Sequence, residues 1–249
     1  FVGKGLAYLI FCGVIFGAIA ETRPLQADAP SRVLENWRQA LGDRRLVIYL
    51  MANLFVPVYA AQLNSTLPLF LSQFVPTGNG DAGFSEQWIS YFFVWHALLK
   101  IVLQLPVIRW LRPVPQVNLM GGAVGLWAAG LLAFWLLGLA TAGGIALILI
   151  GFAFIAVAEV LYGTSATALV GEIAPVDQRG VYFALESECW AVGFLIGPAA
   201  GGWALDHPET GKNLWLVLVI TAAIAAVLVA WLKAELRQTP SLDQDIHSS

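Results

Sequence analysis

Seven long apolar stretches, separated by short polar breaks, divide the chain at roughly 1–20, 46–73, 88–111, 117–140, 145–171, 179–205 and 213–232. A helix needs about 20 residues to cross the hydrocarbon core of a bilayer, and each of the last six is long enough. The first is slightly short and begins at Phe1 without Met. Backbone groups cannot stay unpaired in lipid, so every stretch is predicted to be a helix. The predicted fold is all-α and integral to the membrane. A six-helix bundle over 46–233 is preceded by the end of an earlier membrane span over 1–20. Between them, 21–45 is the longest internal polar stretch, punctuated by Pro24 and Pro30. Val33, Leu34, Trp37 and Leu41 recur there at helical spacing among arginines, which predicts a short amphipathic helix on the membrane surface or a plain linker helix. Residues 234–249 are polar and aperiodic and read as a disordered tail.

Composition places most of the chain in lipid. Of the 249 residues 59% are hydrophobic and 12% charged, against about 25% charged in a soluble domain. A net charge of -3 with no aromatic-interleaved basic cluster excludes nucleic acid as a partner. Lys4, the apolar run and the small residues before Glu21 also resemble a secretory signal, and charge topology decides between the two readings. With the 21–45 linker in the cytoplasm, Arg23, Arg32, Arg38, Arg44, Arg45, Arg109, Arg112, Arg179, Lys233 and Arg237 fall inside, and Lys4 and Lys212 outside. Cleavage after Ala20 in a secreted orientation inverts that bias, against the positive-inside rule. The linker and the carboxyl terminus are therefore expected on the cytoplasmic side. Cys12 and Cys189 both lie in apolar runs and read as buried thiols, with no disulfide framework, metal motif or cofactor expected.

Charges inside spans are costly and mark function. The spans at 117–140 and 213–232 have none at their centres and are expected to face lipid. His96, Lys100 and Gln104 follow one another by four, forming a polar stripe; Glu159 and Tyr162 share a face. Glu186 and Glu188 stand about 200° apart around a helix. Glu186 lies with Trp190, Gly193, Gly197 and Gly201; Glu188 points elsewhere, toward the His96–Lys100 stripe, forming an interior network. Gly193, Gly197 and Gly201 make a small-residue stripe for close helix approach, and Pro198 permits a kink.

The stretch APVDQRG at 174–180 followed by GFLIGPAAGG at 193–202 resembles the major facilitator superfamily, and within it the drug/proton antiporter branch, whose antiporter motif reads G-x-x-x-G-P-x-x-G-G and includes Gly202 here. DRRL at 43–46, NSTLPLFL at 64–71, LQLP at 103–106 and Glu159 fit the same pattern. The loop at 106–117 departs from it, keeping two arginines rather than the fuller motif, and Lys100 at mid-span is not part of the pattern. The resemblance implies the carboxyl-terminal half of such a transporter, from the end of helix six through helix twelve, in an inner membrane. Its partner is a further six-helix half. Spans 46–73 and 145–171 then line a cavity, 88–111 and 179–205 flank the interface between halves, and 117–140 and 213–232 face lipid. The implied activity is proton-coupled efflux of small organic molecules. Glu159 is the first candidate for proton or cation coupling and Glu186, facing the other half, the second. Gln62, Asn64 and Tyr162 offer hydrogen bonds to substrate or between helices. Rival readings are a seven-helix receptor using Lys100, and a non-transporting assembly subunit. No HExxH, GxSxG or paired-Asp motif supports an enzyme.

Overall fold

The computed structural model describes residues 13, 30–76, 83–140, 144–207, 211 and 213–238. Among the described residues eight helices follow in order: α1 Pro30–Gly42, α2 Arg44–Asn53, α3 Phe55–Gln73, α4 Glu86–Leu111, α5 Gln116–Leu139, α6 Gly144–Ile173, α7 Arg179–Asp206 and α8 Leu214–Gln238. The span expected at 1–20 lies outside the described residues. Five stretches among them are long and apolar enough to cross a membrane: Arg44–Gln73, α4, α5, α6 and α8. Helix α7 has 28 residues but is not one of the five, because Glu186, Glu188 and its glycines dilute its apolar content. The result is an all-α membrane bundle whose spans coincide, within a few residues, with the apolar runs. One boundary is corrected: α8 continues to Gln238 rather than stopping at Lys233. Leu236 packs on the core and Glu235 pairs with Arg44 at 3.5 Å, so 234–238 have partners that a disordered tail lacks.

Local sequence explains the breaks. Asp43 caps α2, accepting a hydrogen bond from the Arg45 N–H at 2.9 Å. A single residue, Leu54, separates α2 from α3. Pro57 supplies no N–H for the Asn53 carbonyl four residues earlier and its ring crowds that turn, so the helix breaks there. Pro68, Pro106 and Pro198 are all accommodated inside continuous helices. On α1, Trp37 packs against the core and Ala40 is buried, whereas Leu41 is exposed; the predicted apolar stripe thus runs through Trp37 and Ala40, not Leu41.

The tightest neighbours are α5 with α6, then α5 with α8, α3 with α7, and α4 with α6. Without a hydrophobic drive between helices in lipid, such contacts depend on close approach and dispersion. At the α5–α6 crossing a Cβ on Gly130 would lie 3.0 Å from the Gly151 carbonyl oxygen, and one on Gly151 would lie 2.8 Å from the Phe134 ring. A relay of edge-to-face rings then ties four helices together: Phe70 to Trp215 at 5.3 Å, Trp215 to Phe134 at 5.5 Å and Phe134 to Phe152 at 5.6 Å. Each such pair adds about 0.5–1.5 kcal/mol beyond its burial. Helix α5, expected to face lipid, does so on one side only: Leu132, Leu136 and Leu139 are exposed, while Trp127 is fully buried. Most exposed of all is α4, with only Ile89, Phe92 and His96 buried.

Apart from Lys100, the lysines and arginines described gather at one end of the bundle. Arg44 lies over the Trp231 ring at 5.4 Å, the Tyr182 hydroxyl donates to Asp43 at 2.8 Å, and Gln178 donates to Gln39 at 2.9 Å. These contacts bring the starts of α2 and α7 and the end of α8 together, as alternating passes through a bilayer require.

Candidate functional site

A cavity of about 220 Å³ opens among α3, α4, α5, α6 and α7. Its floor is apolar, from Val56, Ala60 and Trp127; its chemistry comes from Lys100, Glu159, Tyr162, Glu186 and Trp190. Periodicity places these groups. Glu159, Tyr162, Gly163 and Ala166 recur at three and four along α6, so one face of that helix forms a wall. Glu186 and Trp190, four apart on α7, form the facing wall.

The two carboxylates are compensated differently. Glu159 Oε2 lies 2.5 Å from Lys100 Nζ and 3.3 Å from His96 Nε2. His96 is buried and its ring stacks at 5.3 Å from Phe152, so it is held in place, whereas the Lys100 side chain is 43% exposed. Glu186 is 8% exposed and accepts a hydrogen bond from the Tyr49 hydroxyl at 3.2 Å. No basic side chain pairs with it among the described residues. The expected pairing of Glu188 with the His96–Lys100 stripe is therefore corrected. Glu159 takes both bases, and Glu188 stands exposed on the far side of α7, as its rotation from Glu186 requires. Gln104 is likewise exposed, because the four-residue stripe drifts around α4 and leaves the packed face after Lys100. Glu186, expected to face outward toward another half, is turned into the bundle.

The three hydrogen-bonding candidates separate as well. Tyr162 is buried in the cavity wall and its hydroxyl donates to Asn53 Oδ1. Gln62 is buried between helices, where Nε2 donates to the Gly197 carbonyl at 2.7 Å. Asn64 is exposed and donates to the Ala60 carbonyl of its own helix at 2.7 Å. Only Tyr162 of the three lines the cavity. Gln62 and Asn64 lie on other faces of α3, offset by two positions from each other.

The glycine stripe has α3 as its partner. A Cβ on Gly197 would stand 2.6 Å from the Ala61 Cβ, and one on Gly193 would stand 2.9 Å from the Pro57 carbonyl carbon and the Val58 nitrogen. At Gly201 the intruding atoms belong to Thr66 and Gln62. Gly202 has open space instead, and α7 runs through Pro198 without interruption. This contact sets the distance between α3, which carries Val56 and Ala60, and α7, which carries Glu186 and Trp190.

Tyr49, Asn53 and Trp127 were not singled out in the sequence. The spacing of Tyr49, Asn53, Val56 and Ala60, by four, three and four, marks one helical face. Its meaning depends on what lies opposite. Trp127 gives no such sign within a uniformly apolar span.

Residues 70–247 match the Major Facilitator Superfamily. The Uncharacterized MFS-type transporter YdeE of Escherichia coli strain K12 is 29% identical over 151 residues, covering 59% of this chain and 36% of that protein. The Multidrug resistance protein MdtH of Salmonella arizonae is 22% identical over 207 residues, covering 80% of this chain and 47% of that protein. The chain thus spans about half the length, or less, of the curated relatives it matches.

Proposed function

The chain belongs to the major facilitator superfamily, and on that premise we propose that it forms the carboxyl-terminal half of a proton-coupled exporter of small, drug-like organic molecules. In this reading its arginine-rich end lies in the cytoplasm, beneath an inner membrane. A second six-helix half closes the cavity, and the two rock about it to give alternating access. The multidrug-resistance relatives support the substrate class, and nothing in the site calls for a chemical step.

The observation that carries the reading is the pair of unequal carboxylates in one cavity. A carboxylate between two bases already has its charge balanced and gains little from binding a further cation. One held by a hydroxyl alone gains most. Glu186 is therefore the group that exchanges a proton against substrate, reversing the order in which the sequence ranked it and Glu159. Glu159, fixed by Lys100 and His96, keeps α4 and α6 in register and sets the potential of the cavity. Tyr162 and Trp190 present a hydroxyl and an indole face to the substrate. The ring centroids of these two residues are 6.2 Å apart.

The test is made in the complete protein. Glu186→Gln is expected to abolish substrate-driven proton release while the protein remains folded. Glu159→Gln should retain proton release but unfold at lower temperature. Normal proton release by Glu186→Gln overturns the assignment.

A further inference from the structure

A second cavity, of about 140 Å³, lies at the arginine-rich end between α4, α5 and α6. Its lining is divided by chemistry. Val107, Ile108, Leu111, Leu119 and Leu161 form an apolar side; Arg112, Gln116 and Thr164 form a polar one. Arg109 follows in the last turn of α4, one turn before Arg112. Both arginines are exposed, and neither has an acidic partner among the described residues, whereas Arg44 and Arg45 at the same end are paired with Glu235 and Asp43. The Thr164 hydroxyl is committed to its own helix, at 3.1 Å from the Val160 and 3.0 Å from the Leu161 carbonyl. Helix α5 starts here behind Pro115 with no side-chain cap. Beside the cavity, α4 exposes Leu105 at 65% and Trp110 at 79%.

We propose that this cavity is a binding site for an anionic phospholipid. The headgroup phosphate sits on Arg112 and Gln116 with Arg109 as the second charge, and an acyl chain runs along the exposed apolar side of α4. Three features select a lipid over a free anion. The site lies at the ends of membrane-crossing helices, where headgroups are found. Its cationic edge has no protein counter-charge among the described residues, and basic pockets between membrane helices hold anionic headgroups. Its remaining wall is apolar and continues onto an apolar helix face, which a free phosphate leaves unused. The volume suits a headgroup phosphate rather than a whole lipid, so the chains remain in the bilayer plane. The site is separate from the carboxylate cavity and does not depend on the transport reading.

The chain is purified in detergent and titrated with phosphatidylglycerol or phosphatidylcholine. Retained lipid is counted by native mass spectrometry, and thermal unfolding is followed in parallel. Phosphatidylglycerol is expected to be retained and to raise the unfolding temperature, phosphatidylcholine much less so. Arg112→Gln and Arg109→Gln should each weaken retention about fivefold, from about 1 kcal/mol per basic side chain, and Arg112→Lys should recover most of the loss. Arg237→Gln, at the same end but outside the cavity, should change nothing. Equal losses in Arg237→Gln and Arg112→Gln reduce the effect to diffuse charge attraction and overturn the site. Equal protection by inorganic phosphate makes it a free-anion site and overturns the lipid assignment.

Discussion

At the scale of single residues, the shared carboxylate of Glu159 yields the sharpest expectation. Lys100→Met leaves that charge with His96 alone, while Glu159→Gln leaves Lys100 free to turn toward water. The double substitution removes both charges together. Thermal unfolding of the two single variants and the double variant in detergent is expected to give a coupling of about 0.5–3 kcal/mol, with the double variant more stable than the sum of the losses predicts. Strict additivity would mean that the pair contributes nothing. Tyr49 and Tyr59 offer a second comparison. Tyr49→Phe removes the hydroxyl that, among the described residues, holds Glu186 and should cost about 1.5–3 kcal/mol, as for a bond to a charged group. In Tyr59→Phe the lost partner is a neutral hydroxyl, Thr221, at 3.1 Å, so the cost should be nearer about 1 kcal/mol. Equal unfolding temperatures for the two variants would argue that Glu186 is neutral in the resting protein.

At the scale of elements, the α3–α7 crossing depends on absent side chains. Gly193→Ala places a methyl group against the Pro57 backbone, and Gly197→Leu forces the helices apart. Overpacking of this kind costs about 1–3 kcal/mol. Gly125 and Gly202 have open space where a Cβ would go, so Gly125→Leu and Gly202→Ala should be tolerated. Folded yield after detergent extraction distinguishes the two groups, and similar yields would remove the stripe from the account. Gly138 is a poorer control, because its added Cβ meets the Phe70 ring at 3.3 Å. The same reasoning exposes a contact hidden in the sequence. Gly130 and Gly151 are separated by 21 positions and form no motif in the sequence, yet they let α5 and α6 approach closely.

At the scale of the whole molecule, the distribution of exposed apolar surface matters most. Trp88, Val94, Leu98, Ile101 and Val102 on α4, with Phe194, Leu195 and Ile196 on α7, are exposed, and both helices border the carboxylate cavity. If a second half covers that side, the chain by itself cannot alternate access. Reconstituted alone into vesicles with an imposed proton gradient, it is expected to move no fluorescent cationic dye. Co-reconstituted with a six-helix amino-terminal half it should. Robust efflux by the chain alone, at a lipid ratio that keeps it monomeric, would contradict the two-half reading.

Apolar run length and the cost of an unpaired backbone in lipid were enough to predict the membrane helices from 46 onward and their order; the break at Leu54 and the extension of α8 to Gln238 were not marked by them. The glycine motif carried the family resemblance, and the three-residue spacing of Glu159 and Tyr162 already placed both on one wall. Which groups meet across helices was decided only by the fold. Helical periodicity fixes a residue's face but not what stands opposite, so Glu188 was assigned to Lys100 and Glu186 was turned outward. In the structure, the packing of α7 against both α2 and α3 brings Glu186 under Tyr49. The α4–α6 packing gives Lys100 and His96 to Glu159 across a gap of more than fifty residues in sequence. Charge compensation is a property of that meeting, and no spacing along one helix records it.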